Sequence, residues 1–360
     1  MKGEREGPRE RNDPARAFLG GMPTSPTPNR EPSPTAADQV HARKDPEQPR
    51  ILIVSPVRNE ARHIEKVARA VGAQELAPAR WVAIDDGSTD GTYELLKELE
   101  REIGLLSVMR APARTEGPDG RGPKDRLAKA IEVHNFNLAL AEVDGEQYTH
   151  VMKLDGDIEL PPDYLSVLME RFEQDASLGL AGGVLVEPTP EGDTRRIAIP
   201  SHHVHGALKC YSRACFEAIG GVQERLGWDT IDGTYARMRG FQTRNFRDLV
   251  SVHHRPIASA DGRLRGRARH GECAYITHYG PLWVALRSLK VARNNPVGLS
   301  GIAFLYGYAR AWATRVERVP DREYRRFVRH EINRRMWRAL PALAGRAKQP
   351  REQRPLSTVV

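Results

Sequence analysis

The sequence predicts an α/β fold: a mostly parallel, doubly wound sheet followed by a helical C-terminal extension. Three observations carry that expectation. Short apolar runs alternate with amphipathic stretches from residue 51 onward, the pattern of strands that cross over through helices into a parallel sheet. Segments rich in Asp and Gly stand at the ends of several runs, where open α/β sheets bind their ligands. Beyond residue 256 the runs give way to aromatic and aliphatic residues mixed with Arg and Lys.

Taken in order, "ILIV" (51–54) reads as a buried strand that ends at Pro56, and Ile64, Val67, Ala68 and Val71 mark one face of the helix after it. "WVAIDDGSTDGT" (81–92) is the next strand and its turn. Asp90 is placed to cap a helix with an apolar stripe of Leu95, Leu96, Leu99 and Ile103. "LLSVMR" (105–110) is a third strand, followed by a charged loop over 111–126. A helix through "LAKAIEVHNFNLALAEV" (127–143) leads to the strand "HVMKLD" (150–155). Leu165, Leu168, Met169 and Phe172 mark another helix, and "LGLAGGVLV" (178–186) and "TRNFRDLV" (243–250) are further strands.

Composition narrows the function classes. A length of 360 residues suits one large domain with extensions, or two small ones. Residues 1–49 are rich in Pro, Arg, Glu and Ser without an apolar period, and are expected to be disordered, as is the tail from 345. No uncharged apolar stretch approaches the ~20 residues of a spanning helix, and the N-terminus lacks a signal-peptide core. Cys210, Cys215 and Cys273 are odd in number and show no CxxC spacing, which points to a reducing, cytoplasmic setting rather than a disulfide frame or a cysteine zinc site. The net charge of +8 and pI of about 9.5 suit anionic partners. Nucleic acid is not the expected one, because no aromatic-basic RNA signature or recognition-helix motif is present.

Three segments at strand ends carry chemistry: "PVRNE" (56–60), "DDGSTDGT" (85–92) and "DGD" (155–157). Two carboxylates two residues apart on a strand share a face and repel unless a cation lies between them. A hard divalent ion would give such a pair its purpose. In this order and spacing the segments resemble the family 2 glycosyltransferases, over roughly residues 50–256.

The resemblance implies a GT-A fold, which is Rossmann-like, and an inverting, metal-dependent transfer of sugar from a nucleotide-diphosphate sugar, expected to be UDP-linked. Pro56, Arg58 and Glu60 would lie against base and ribose. Asp85 or Asp86 would hydrogen-bond the same part, although these residues also suit a turn and helix cap. "DGD" would be the DxD motif, with Asp157 on Mn²⁺ or Mg²⁺ and Asp155 on ribose or metal-bound water. His253 or His254, in "VHHRP", would complete the metal or diphosphate site, with Arg255 on phosphate. The catalytic base falls in "GWDTIDGTYARMRGF" (227–241), where a gapless count places Asp229 and leaves Asp232, one helical turn on, as the other candidate. Trp228 stands where the family usually has a second acid.

The resemblance also implies a domain plan: a catalytic domain over 50–256 and a basic helical extension over 257–344. The acceptor would be a glycan or lipid-linked glycan in cell-surface polysaccharide synthesis. The departure at Trp228 leaves a second reading, a weak or inactive nucleotide-sugar-binding protein. In "SHHVHG" (201–206), a loop beside the acceptor is favoured over zinc. In the extension, Trp283, Phe304, Tyr306 and Trp312 among many arginines suggest peripheral docking on an anionic membrane, at its inner face.

Overall fold

The computed structural model describes residues 48–113, 130–143, 147–189, 192–255 and 262–346, all within one compact unit. The expectations for residues 1–47, for the charged loop beyond residue 113 and for the tail beyond 346 lie outside the described residues.

Strands β1 (Ile51–Val57), β2 (Arg80–Asp85), β3 (Leu106–Arg110) and β4 (His150–Leu154) form a parallel half-sheet in the order β3-β2-β1-β4. Helices α1 (Ile64–Gly72), α2 (Thr92–Glu102) and α3 (Ile131–Glu142) make the crossovers. Successive residues of β1 serve opposite faces: Ile51 and Ile53 join the core with α1, and Leu52 and Val54 the core with α3. Burial on both faces explains why these strands read as continuous apolar runs.

The sheet continues through β8 (Leu208–Ser212), β6 (Leu178–Pro188), β9 (Gln242–His253) and β5 (Ile158–Glu159), with β7 (Thr194–Arg196) on the side of β6. Of these nine strands β1, β2, β3, β4, β6 and β9 run one way, while β5, β7 and β8 run against them. The sheet is therefore mostly parallel, as expected of the GT-A architecture, with a reversed strand at its centre. Helices α4 (Tyr164–Gln174), α5 (Arg213–Ala218) and α6 (Trp228–Met238) complete this part.

Four helices follow: α7 (Arg263–Ile276), α8 (Pro281–Val291), α9 (Leu299–Ala313) and α10 (Arg322–Arg346). They are built into the rest. Ile231 of α6 shares a core with Ile276, Tyr324, Val328 and Ile332, and Arg237 meets Glu331 at 2.7 Å. Helices α7 and α9 touch backbone to backbone. A Cβ on Gly307 would lie 1.8 Å from the Ala268 carbonyl oxygen, and one on Gly271 would lie 1.9 Å from that of Phe304.

Gly307→Ala is therefore expected to force the helices apart and destabilise the chain by roughly 1–3 kcal/mol or more. Gly280→Ala, whose Cβ would meet nothing within 4 Å, should stay within about 0.5 kcal/mol. Equilibrium unfolding of both variants in denaturant checks this.

Candidate active site

The loops after β1 and β2 are laced together. Asn59 donates its backbone N–H to Ser88 Oγ, and Thr89 donates to Asn59 Oδ1, each at 2.9 Å. Glu60 donates to Thr92 Oγ1 at 2.8 Å, and Arg58 to the Asp86 carbonyl. Asp85 is buried, and its carboxylate accepts from the backbone N–H of Gly87 and Ser88 at 3.1 Å. The turn consumes much of its accepting capacity.

The 155–157 turn docks against this frame. A Cβ on Gly156 would come 2.6 Å from Val57 Cγ1 and 3.3 Å from Glu60 Cγ, so only glycine fits between the two aspartates without a shift. Just beyond, β5 pairs with the end of β9 and sets Ile158 opposite His253. That pairing brings His253 Nε2 to 3.4 Å from Asp157. Arg255 reaches the same carboxylate at 3.2 Å and also pairs with Glu60. Burial works against a charged His253, but Asp157 beside it, with Asp155 and Glu187 farther off, raises its pKa above the usual imidazole value. His254 is turned away: its Nε2 lies 2.7 Å from Glu159 and its ring stacks on His63. Of the two histidines, His253 faces Asp157.

The two acids of α6 occupy different environments. Asp232 is buried and held by Lys209 Nζ at 2.9 Å and by the Tyr211 hydroxyl. Asp229, in the first turn, is 40 % exposed and has His203 Nε2 3.8 Å away. Burial lowers the pKa of His203, against the pull of Asp229. The 201–206 loop packs directly here, because a Cβ on Gly206 would lie 2.9 Å from the Trp228 ring. Among the described residues no group of three or more His, Cys, Asp or Glu side chains could hold a metal ion.

Trp228 ties the two halves of the site together. Lys153 and Lys209 face each other across β4 and β8, and their Nζ atoms lie 5.3 and 5.0 Å from the indole centre. Like charges directly opposite are unfavourable, and both lysines are buried. Each has a carboxylate to offset this: Asp155 for Lys153 and Asp232 for Lys209. The Trp228 indole N–H donates to Glu132 at 3.1 Å, and burial raises the pKa of that carboxyl. Sequence reasoning missed Lys153, Lys209, Tyr211 and Glu132. A lysine inside an otherwise apolar strand was the available signal for the first two, since such a residue needs a buried partner.

Residues 52–120 match the sequence profile of glycosyl transferase family 2. Over this segment the chain is similar to glycosyl transferase family 2. The succinoglycan biosynthesis protein ExoA of Rhizobium meliloti (strain 1021) is 32% identical over 137 residues, 38% of this chain and 35% of ExoA. The chain thus aligns with about a third of that relative's length. Among solved structures, the mannosyltransferase PcManGT from Pyrobaculum calidifontis, in complex with GDP-Man and Mn²⁺, superposes with a TM-score of 0.48 at 19% identity, over 85% of this chain and 86% of its own. S. aureus TarS 1–349 in complex with UDP-GlcNAc gives 0.46 at 13% identity, over 73% of each chain.

The buried charges of this site set two expectations. Lys209→Met strands the buried Asp232 charge and should destabilise by about 3–5 kcal/mol, whereas Lys153→Met leaves an Asp155 carboxylate that is 36% exposed and should cost clearly less. Denaturant unfolding of the two variants tests that ranking. The second concerns acid. Burial, with His203 adding to it, lowers the pKa of His205 from 6.5 to about 4, and burial with Arg335 and Arg237 does the same for His202. The unfolded chain takes up these protons first as pH falls, so their contribution is intact above pH 6.5 and is lost on the way down to about 4. The unfolding midpoint should drop over that window, and less steeply in His205→Asn.

Proposed function

We propose that the chain is an inverting glycosyltransferase that moves a sugar from a UDP-linked donor to a glycan or lipid-linked acceptor in cell-surface polysaccharide synthesis. The observation that carries this reading is the division of labour between the acids of α6: Asp232 is locked to Lys209 and Tyr211, while Asp229 stays accessible beside the 201–206 loop. Asp229 accepts the proton of the acceptor hydroxyl as that oxygen attacks the anomeric carbon. The sugar–phosphate bond breaks in the same displacement, without a covalent intermediate. Asp232 positions α6 and takes no proton. Pro56, Arg58, Glu60 and Asp86 line the base and ribose, and Asp155 reaches the ribose.

The residues at Asp157 fit a divalent cation. Asp157 and His253 bring an oxygen and a nitrogen donor within 3.4 Å of each other. These two alone would be an incomplete set for Mn²⁺ or Mg²⁺, so oxygens of the donor would have to supply the remaining ligands. When bound, the ion neutralises the charge that builds on the departing diphosphate. Arg255 on the same carboxylate favours a second reading, in which the guanidinium supplies that charge and no metal is needed. The name of ExoA supports the polysaccharide role. Action at the inner face of the cell membrane, as a peripheral protein, completes the proposal.

Transfer from a panel of UDP-, GDP- and dTDP-sugars with Mn²⁺ is the primary test. Asp229→Asn is expected to lower kcat by roughly 10²–10⁴-fold with donor KM nearly unchanged. An inactive but folded Asp232→Asn beside an active Asp229→Asn would reverse the assignment. EDTA and Asp157→Ala should each abolish transfer, EDTA reversibly on adding Mn²⁺ or Mg²⁺. Full activity in EDTA with Arg255→Gln inactive would select the metal-free reading, and UDP binding without any transfer would select the non-catalytic one.

A further inference from the structure

The apolar residues that the structure leaves exposed are concentrated in one place. Apart from Trp337, every exposed large apolar side chain among the described residues lies between Leu264 and Trp312. On α8, Leu282, Leu286 and Leu289 follow the spacing of a single helix face. On α9, Leu299, Ile302 and Tyr306 do the same. These six side chains are 52–65% exposed. The opposite faces, through Val284 and Val291 of α8 and Phe304 of α9, close on one small core with Ala274. Both helices therefore turn an apolar face outward from the same core. Val297 in the connecting turn and Trp312 extend it.

The charge around these faces has one sign. Residues 263–315 contain nine Arg and Lys residues and a single acid, Glu272, and that acid is paired with Arg310 at 2.9 Å. Arg263 and Arg265 at the start of α7 line a depression with Asn295 and Pro296 of the turn, so basic side chains stand beside the α8–α9 connection. Arg287 and Lys290 on α8 and Arg293 just after it are exposed. A second copy of this chain would bring like charges together at such a face. Nucleic acid offers nothing to cover the leucines. An anionic bilayer answers both features, taking the apolar faces into its interface and the cations at its phosphates. No described helix is long and apolar enough to cross a membrane, which fits a pair of helices lying in its surface.

We infer that α8 and α9 form an amphipathic docking element that seats the chain on anionic lipid. Of the aromatic residues the sequence suggested, Tyr306 and Trp312 lie on this surface and the other two do not. Phe304 is buried and Trp283 packs edge-on against Tyr279, so the outward leucines with Tyr306 and Trp312 make the contact. The inference deepens the peripheral placement in the proposed function by naming the surface that makes it, and it is independent of the transfer reaction.

The test pellets the full chain, without nucleotide sugar, with vesicles of phosphatidylcholine alone or mixed with phosphatidylglycerol, at low and at raised salt. The native chain is expected to pellet with the anionic vesicles. Leu286→Ser with Ile302→Ser should lose roughly tenfold or more of that binding at either salt. Arg263→Gln, Arg265→Gln, Lys290→Gln and Arg293→Gln together should lose the preference for anionic lipid. Replacing Arg325, Arg326, Arg329 and Arg334 of α10 by Gln should change little. All these side chains are exposed, so thermal unfolding should hardly move. The inference is overturned by a native chain that does not pellet, by unchanged pelleting of the Leu286/Ile302 variant, or by a larger loss in the α10 variant. A lipid-free dimer that the Leu286/Ile302 variant abolishes would also overturn it and assign the face to a second copy. Transfer to a soluble acceptor is measured separately: a chain that transfers without pelleting sinks this inference and the membrane placement but leaves the transfer reaction standing, and one that pellets without transferring sinks the transfer reaction alone.

Discussion

The contact of Gly156 with Val57 and Glu60 is the constraint on which the candidate site depends. It presses the 155–157 turn against the end of β1, and the short β5–β9 pairing then holds the other side of that turn. With the turn fixed from both sides, Asp157 faces His253 and Arg255 from a strand nearly 100 residues away. Any side chain at 156 would push the turn outward by at least the overlap it creates with Val57. The two aspartates would then lose their places against separate partners, Lys153 for one and His253 for the other.

A second arrangement supports the first from beneath. Two buried lysines opposite each other in a sheet would be costly on their own. Here each is matched to an acid and both lie over one indole. Trp228 is itself held from α3, where Glu132 accepts its indole N–H. The accessible carboxylate of Asp229 is the next residue along, on a helix end that these contacts hold in place.

Much of this was legible in the sequence, and the reasons differ by element. β1, β2, β4 and β6 announce themselves because both faces are buried, so nearly every residue is apolar. The buried stripes of α1 and α4 follow from helical spacing. β8 was not foreseen, because Lys209 in its middle looks like a solvent-facing residue until Asp232 is folded against it. α7 was missed for a different reason. "RLRGRARHGECAYI" has no apolar stripe, and its packing relies on Gly271 meeting the backbone of α9. In the site, the motifs at strand ends were readable because they are local. The different surroundings of Asp229 and Asp232, and of His253 and His254, come from partners distant in the chain that no spacing encodes.

The backbone contact between α7 and α9 separates what this part of the chain must keep from what it is free to change. The crossing is made by glycines and carbonyl groups, and the outward leucines take no part in it. A lineage could therefore trade those leucines for polar residues one at a time, converting the chain from an adhering form to a freely diffusing one, while the joint between the helices kept its geometry. Positions 271 and 307 have no such latitude. Drift should pass over the outer surface of the helices and stop at those two glycines.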